Sequence, residues 1–566
     1  MAPKRIIVIG GSAAGPKAAA KARRMDQNAE ITIIQKEPDL SMASCGYPYF
    51  VGGFFDDRNQ LLCTPTGVVR DPNFFFNAKA ITAKTNTEVT AVDRQAKTVT
   101  CRDLRSDEES TMEYDKMVIA TGATPLMPPI PGIDLEGITT LQSMRDADFL
   151  RRVRDEGTIK KAAIIGGGLI GIETCEALQL AGIKITVIEM LPQILKFLDW
   201  QLAKLLENHV KSQAADVITD NGVAEFLGTD GRISAVKLSN GTELPCELAV
   251  VAIGVRPNAG LAKAAGLDIG ETGGIKVNEH MQTSDADIYA VGDCVEVKQL
   301  LTGAPTLAPY GDLANLQGRV AGQNVTREEQ VVFPGTIHTG VCKVFDYAAG
   351  STGLSETMAR KAGFDDIETA INASPDKPHF MGANLLVSKM VADRKTGKLL
   401  GFQCIGPGDV SKRIAAAAMA IHGGLTVGDV VNADLPYAPP FSAAIDHLIT
   451  TAHILENKLR GRMKGISAVE VKDMVDARRK DVFYLDVRGP DEYETMRLGI
   501  GETLIPLGTL RKRIHEVPQD KDKEIVCYCK ISLRGYEAAS LLEANGWKNV
   551  RVMEGGIMAW PYPREK

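Results

Sequence analysis

The stretch SMASCGYPY, Ser41 to Tyr49, sets a single cysteine among small residues, after a β-rich run (ITII) and directly before a glycine. Cys45 has three roles open to it: packed core thiol, half of a disulfide, or nucleophile. Ten cysteines in 566 residues are too sparse for a disulfide scaffold. In a reducing compartment most of them are inert, and context must pick out the reactive ones. A thiol reacts as its thiolate, and a helix N-terminus favours that form. The elements around Cys45 therefore decide among the three roles.

Two strand–glycine–helix openings supply those elements. RIIVIGGSAAGPKAAAKARR is an apolar strand running into Gly10, Gly11 and Gly15 and then an Ala-rich helix. This is the βαβ entry that brings a dinucleotide pyrophosphate to a helix N-terminus, with Ser12 in place of the middle glycine of GxGxxG. AAIIGGGLIGIETCEALQLAGIKITVIE carries the full pattern at Gly166, Gly168 and Gly171, and its next strand ends at Glu189, 18 residues on (189 − 171). An acid there takes a ribose 2′-hydroxyl and repels a 2′-phosphate, which favours NADH over NADPH. The two openings lie 156 residues apart (166 − 10) and suggest a flavin plus a nicotinamide. DKMVIATGATP and LAVVAIGVRPN are apolar strands stopped at Thr121–Gly122 and at Gly254. ADIYAVGDC delivers Gly292 and Asp293 to a turn where a carboxylate can bind a ribityl hydroxyl. Glu37, shortly after the second strand, completes the candidate cofactor set. A flavin that passes two electrons to sulfur needs a thiolate beside it, and Cys45 follows the second strand of the first unit.

Beyond residue 325 the glycine fingerprints stop. LLVSKMVADRKTGKLLGFQCIG and AAAAMAIHGG predict an antiparallel sheet with packed helices, DRKTGK being a hairpin turn. ENKLRGRMKG (456–465) is polar and basic and reads as a linker to a small α/β unit. A net charge of −6 argues against a nucleic-acid binder and gives no membrane-surface signature. No apolar run reaches the ~18 residues of a spanning helix, and the first strand begins at Arg5, so no signal peptide is expected and a cytoplasmic location is.

Together these features resemble the two-dinucleotide-binding flavoprotein disulfide reductases of the pyridine nucleotide-disulfide oxidoreductase family over roughly residues 1–455. SMASCGYPYFVGG, with one cysteine and no CxxxxC, and LPYAPPFSAAID (435–446) look like the coenzyme A-disulfide reductase branch. LDVRGPDEY, IVCYCKISLRG and GWKNVRVMEGGIMAW resemble a single-domain rhodanese. The resemblance implies an α/β protein. An FAD-binding domain (1–149 and 270–325) and an NAD-binding domain (150–269), both Rossmann-like, are followed by an α+β dimerisation domain (326–455), the linker and a rhodanese domain (466–566). It implies FAD, NADH and coenzyme A as cofactors and substrate, a homodimer completing its active site from the partner subunit, and no metal. The implied reaction is NADH-dependent reduction of CoA persulfide, polysulfide or CoA disulfide.

The same resemblance places CoA around Lys17, Lys21, Arg24, Ser41 and Ser44, with basic side chains meeting the nucleotide phosphates. Ser44 stands where the family usually has Asn. Tyr437 is the implied acid from the partner subunit, and a second family tyrosine is replaced in the PHFMG stretch by His379 and Phe380. In the tail, Cys529 opens a loop whose backbone N–H groups would cradle a thiolate or persulfide, closed by Arg534. Ser532 stands where rhodaneses often have Gly, while Asp486 and Arg488 would brace the loop. An NADH oxidase or peroxidase cycling Cys45 through a sulfenic acid, or a redox sensor or sulfur carrier without turnover, would use the same residues.

Overall fold

The computed structural model describes residues 2–327 and 330–565. The chain divides into two compact units, Met1–Leu191 with Ile218–Thr336, and Pro192–Val217 with Ile337–Lys566.

The first unit is built on two parallel sheets. In one, the strands run in the order Ile288–Ala290, Lys116–Ile119, Arg5–Ile9, Glu30–Ile34 and Thr82–Lys84. Strand Ile288–Ala290 thus returns from far along the chain to finish the sheet that Arg5–Ile9 starts. The second sheet places Lys161–Ile165 between Lys184–Ile188 and Leu248–Val251, with Ile138–Thr139 beyond. These strands read as continuous apolar runs because helices cover both faces of a parallel sheet. Helix Ala14–Met25 follows the first strand and Leu169–Gln179 its counterpart. In both, the last glycine of the loop lets helix and strand touch. A Cβ at Gly15 would lie 1.9 Å from the Gly10 carbonyl oxygen, and one at Gly171 2.0 Å from that of Gly166. A third helix, Gly311–Asn324, crosses Ala14–Met25 through Gly318 and Gly322, where a Cβ would fall 2.4 Å from Ala14 O and 2.3 Å from Ala18 O.

The second unit holds the expected antiparallel sheet, in the order Gly340–Val344, Tyr347–Gly353, Leu399–Gly406, Leu385–Asp393 and Ile367–Pro375. A five-stranded parallel sheet follows, ordered Gly465–Ile466, Val550–Met553, Glu524–Tyr528, Val482–Asp486 and Thr503–Leu504. The stretch read as a linker behaves differently over its first residues. Helix His447–Leu459 runs into it, and Lys458 pairs with Glu368 at 3.1 Å and with the buried Glu554. Glu554 also accepts from Ile371 N–H at 2.8 Å, so ion pairs and hydrogen bonds join the two sheets of this unit.

Candidate active site

Cys45 lies on a single 3-10 turn, Ser44–Gly46, that leads into helix Tyr47–Gly52 with Pro48 in its first turn. Ser41 N–H donates to Gly11 O at 2.7 Å, tying this segment to the first glycine loop, and Ala43 N–H donates to Leu61 O at 2.9 Å. Arg151 holds the far side of the segment by donating to the Phe50 and Phe55 carbonyls at 3.0 and 2.9 Å. The cysteine is solvent-accessible. A Cβ on Gly311 would stand 3.6 Å from its sulfur, so the N-terminus of helix Gly311–Asn324 abuts the thiol.

The helix termini do not set the charge state of Cys45 alone. Its pKa is raised, chiefly because neighbouring atoms crowd water from the sulfur although the residue reaches the surface, and then because Glu173, Asp293 and Asp312 bear on it. This reverses the expectation of a helix-lowered thiol. Glu173 is itself pushed up to about 7 by burial and by Glu176, against a hydrogen bond from Tyr49. Tyr49 sits four residues past Cys45, and the helix carrying it packs on the helix carrying Glu173, a Cβ at Gly52 lying 3.4 Å from Ala177 Cα. Asp293 is pushed up to about 6 by burial.

The loop residues fit bound dinucleotides. Gly168 is the N-cap of helix Leu169–Gln179, and a Cβ there would meet no protein atom within 4 Å. Glu189 is fixed by accepting from Gly167 N–H at 2.7 Å and Leu191 N–H at 2.8 Å. At the first glycine loop the matching bond, Gly11 N–H to a side-chain oxygen just past the second strand, ends at 2.8 Å on Gln35. Glu37, two residues further, is exposed. Gln35 therefore holds the position of Glu189, a correspondence visible in sequence only by aligning the ends of the two strands. Thr121 donates to Asn258 O at 2.7 Å and accepts through its carbonyl from Asn258 Nδ2 at 2.9 Å, so the turns at Gly122 and Gly254 clasp one another. Gly292 N–H donates to Gln317 Oε1 at 2.7 Å, which fixes the turn that carries the desolvated Asp293 carboxyl.

Of the basic residues on helix Ala14–Met25, Lys17 and Lys21 are half-buried and Arg24 is exposed. Arg23 is committed elsewhere, donating to the carbonyls of Lys79, Ala80 and Gln27 at 3.1, 2.6 and 2.8 Å. The Lys21 pKa is lowered by burial and by Arg319 and Arg24. Arg319 arrives on the crossing helix and went unseen in the sequence. Ser41 is half-buried with φ +52°, and Ser44 is exposed beside Cys45.

In the second unit, Tyr437 is 54% exposed and Phe380 75%, with His379 exposed beside it. The structure gives Tyr437 no hydrogen bond to another described residue. Cys529 opens the loop between strand Glu524–Tyr528 and helix Leu533–Ala544 and is buried. The wall behind it is the turn Gly556–Ala559, whose Ile557 N–H donates to Cys529 O at 2.9 Å. Arg534 bears electrostatically on the Cys529 sulfur and is held by Glu492 through two bonds of 2.7 and 2.8 Å. That clamp, within the DEY of LDVRGPDEY, was missed. Asp486 and Arg488 form a buried pair at 2.7 Å whose arginine holds the Glu492 and Met496 carbonyls, bracing the segment that presents Glu492. Cys527 is buried and its thiol pushed up by burial, as expected of a core residue.

Among the described residues no group of His, Cys, Asp or Glu could hold a metal ion, and no helix is long and apolar enough to cross a membrane.

Residues 4–311 match the family model described as pyridine nucleotide-disulphide oxidoreductase, residues 339–449 its dimerisation domain, and residues 467–561 a rhodanese-like domain. The chain is 35% identical over 455 residues to a Pyrococcus abyssi protein named NAD(P)H sulfur oxidoreductase (CoA-dependent), covering 80% of this chain and 98% of that one. It is 34% identical over 460 residues to a Methanocaldococcus jannaschii protein named NADH oxidase, covering 81% and 100%. It also resembles the solved structure of an NAD-dependent persulfide reductase from A. fulgidus, with a TM-score of 0.93, 42% identity, and coverage of 98% and 100%.

Proposed function

The chain belongs to the pyridine nucleotide-disulphide oxidoreductase family, FAD- and NAD(P)H-dependent oxidoreductases, and carries a rhodanese-like domain; from that premise we propose that it reduces CoA persulfide or polysulfide with NADH. The balance is RSSH + NADH + H⁺ giving RSH + H₂S + NAD⁺, with CoA disulfide as a secondary substrate. The observation that carries this reading is the lone, accessible Cys45 thiol against the Gly311 helix terminus, flanked by Glu173 and Asp293.

FAD, held by Gly10, Gly11, Gly15, Gln35 and Asp293, supplies the two-electron relay between nicotinamide and sulfur. Gly168 and Glu189 hold NADH at the second loop, by close backbone approach and by the ribose. Lys17, Lys21, Arg24 and Arg319 meet the CoA phosphates, while Ser41 and Ser44 line the way to Cys45. With no CxxxxC partner, Cys45 cannot store electrons as an internal disulfide. Its thiolate attacks the inner sulfur of the persulfide, the Cys45–S bond forming as the S–S bond breaks and hydrosulfide leaves, and a mixed disulfide with the carrier thiol remains to be reduced. In a homodimer assembled through the dimerisation domain, Tyr437 of the partner subunit assists the departing thiolate. Cys529, with Arg534, carries sulfane sulfur from a donor to the small thiol.

Replacing Cys45 by Ser tests the reading. The variant should retain FAD yet lose NADH-dependent sulfide release, and wild-type turnover would overturn it. The relative named NADH oxidase favours a second reading, in which Cys45 cycles through a sulfenic acid. Oxygen or peroxide consumption exceeding persulfide reduction in the wild type would select that reading.

A further inference from the structure

The Cys529 loop contains a serine whose position and posture the reductive chemistry leaves unexplained. Ser532, three residues past Cys529, is the N-cap of helix Leu533–Ala544. A serine there ordinarily turns its oxygen onto the N–H of the second or third helical residue. Ser532 makes no such bond. Its φ is +91°, in the region that favours glycine. The residue is 5% exposed, and its Oγ has no hydrogen-bond partner among the described residues. A buried hydroxyl without a partner is destabilising, and so is a side chain held at this φ. The serine therefore carries two separate costs in a loop of four residues, Cys529 to Ser532, in which both it and Cys529 are buried. Because Ser532 does not cap, the first N–H groups of the helix also stay free to face an anion.

We propose that the Ser532 hydroxyl is a sulfur-binding group, donating its hydrogen bond to the outer sulfur of a persulfide formed on Cys529. This rests on the reading of Cys529 as a sulfane-sulfur carrier and adds the group that retains the sulfur. With thiosulfate as donor, the Cys529 thiolate attacks the outer sulfur. The Cys529–S bond forms as the S–S bond of thiosulfate breaks, sulfite leaves with the bonding pair, and the cysteine persulfide anion stays. Charge balances without added oxidant or reductant. The new anion meets Arg534, the helix N–H groups and the Ser532 hydroxyl. Glycine would suit the backbone but could not donate, which makes Ser532 a determinant of how long the sulfur is held and to which acceptor it passes.

The test uses the full-length, FAD-loaded protein and its Ser532→Gly and Ser532→Ala variants. Each is treated with thiosulfate, and the persulfide on the Cys529 peptide is followed by alkylation and mass spectrometry during a cyanide chase. We expect both variants to lose the sulfur at least tenfold faster than the wild type, with Ser532→Gly melting no lower. A purely structural serine predicts the reverse for Ser532→Gly, because glycine relieves the φ strain. Equal retention in all three proteins overturns the role of the hydroxyl alone. A wild type that acquires no sulfur on Cys529 overturns the carrier reading and this inference with it.

Discussion

Gly168→Ala separates the requirements of the protein from those of its nucleotide. Gly168 has φ −76° and ψ −174°, which alanine adopts freely, and its Cβ would enter open space. Alanine is a poorer N-cap than glycine by roughly 0.5–1 kcal/mol. Against that, it restricts the unfolded chain, contributing about 0.4–1 kcal/mol of stability. The two offset, so melting by scanning fluorimetry should move by no more than about 2 °C. A dinucleotide feels the methyl differently, because the middle glycine is where its pyrophosphate comes closest to the backbone. Pushing the phosphate away forfeits one hydrogen bond to a charged group, about 1.5–3 kcal/mol. That raises KM for NADH about 10- to 150-fold. The assay is NADH oxidation with supplied CoA persulfide, alongside the flavin content of the same sample, which should not change. Gly171→Ala provides the contrast. Its Cβ would lie 2.0 Å from Gly166 O, so helix and strand must part and the melting temperature must fall as well. An unchanged KM for NADH in Gly168→Ala would refute the placement of the nicotinamide nucleotide at this loop.

Glu173→Gln removes a negative charge that helps hold the Cys45 thiol up. The Cys45 pKa should fall and its thiolate fraction at pH 7 should rise. Iodoacetamide labelling of Cys45 as a function of pH reads this directly, and an unmoved profile would remove Glu173 from the site. Tyr437→Phe should lower turnover of CoA disulfide about 100-fold, the low end for a lost general acid. Turnover of persulfide should fall less, because its first step expels hydrosulfide and a thiolate departs only when the mixed disulfide is reduced, whereas CoA disulfide expels a thiolate at both steps. Equal losses on both substrates would show that Tyr437 does not act on the leaving group of the first step.

What could be read from the sequence followed what is local in the chain. Gly10–Gly15 and Gly166–Gly171 are contiguous with their strands and helices, so each spacing carries its own geometry. The antiparallel sheet was legible because DRKTGK joins two apolar runs. Residues brought in by packing were not legible. Arg319 reaches Lys21 only because Gly318 and Gly322 let two helices cross closely, and Glu173 bears on Cys45 only because Gly52 lies against Ala177. A helix-terminus rule applied to Cys45 alone gives the wrong sign, since it counts the backbone dipole and omits first the crowding of water from the sulfur and then three carboxylates supplied by remote segments. The polar stretch from Glu456 misled for a related reason. Lys458 looks like a solvated cation in the sequence, yet it is half-buried between Glu368 and Glu554, partners nearly a hundred residues away on either side.

The two sulfur centres differ electrostatically, and the difference suits a division of labour. At Cys529 a guanidinium held by Glu492 bears on the sulfur, in the loop that leads into a helix. A fixed cation and a helix N-terminus suit the retention of a persulfide anion once it has formed there. At Cys45 burial and carboxylates penalise the anion, so between turnovers the sulfur rests as a thiol, the form less open to oxidation. Once formed, a thiolate of high pKa is the stronger nucleophile, and it attacks a persulfide rather than holding one. Glu173, poised near 7, and Asp293, near 6, titrate in the same range as each other and bear on the same sulfur. Both carboxyls therefore ionise before the thiol, and Cys45 titrates against two negative charges already in place. Replacing Glu173 by Gln should move the labelling profile of Cys45 to lower pH without changing its width. A profile that stays at the same pH would mean that the Glu173 charge has no part in holding the thiol protonated between attacks.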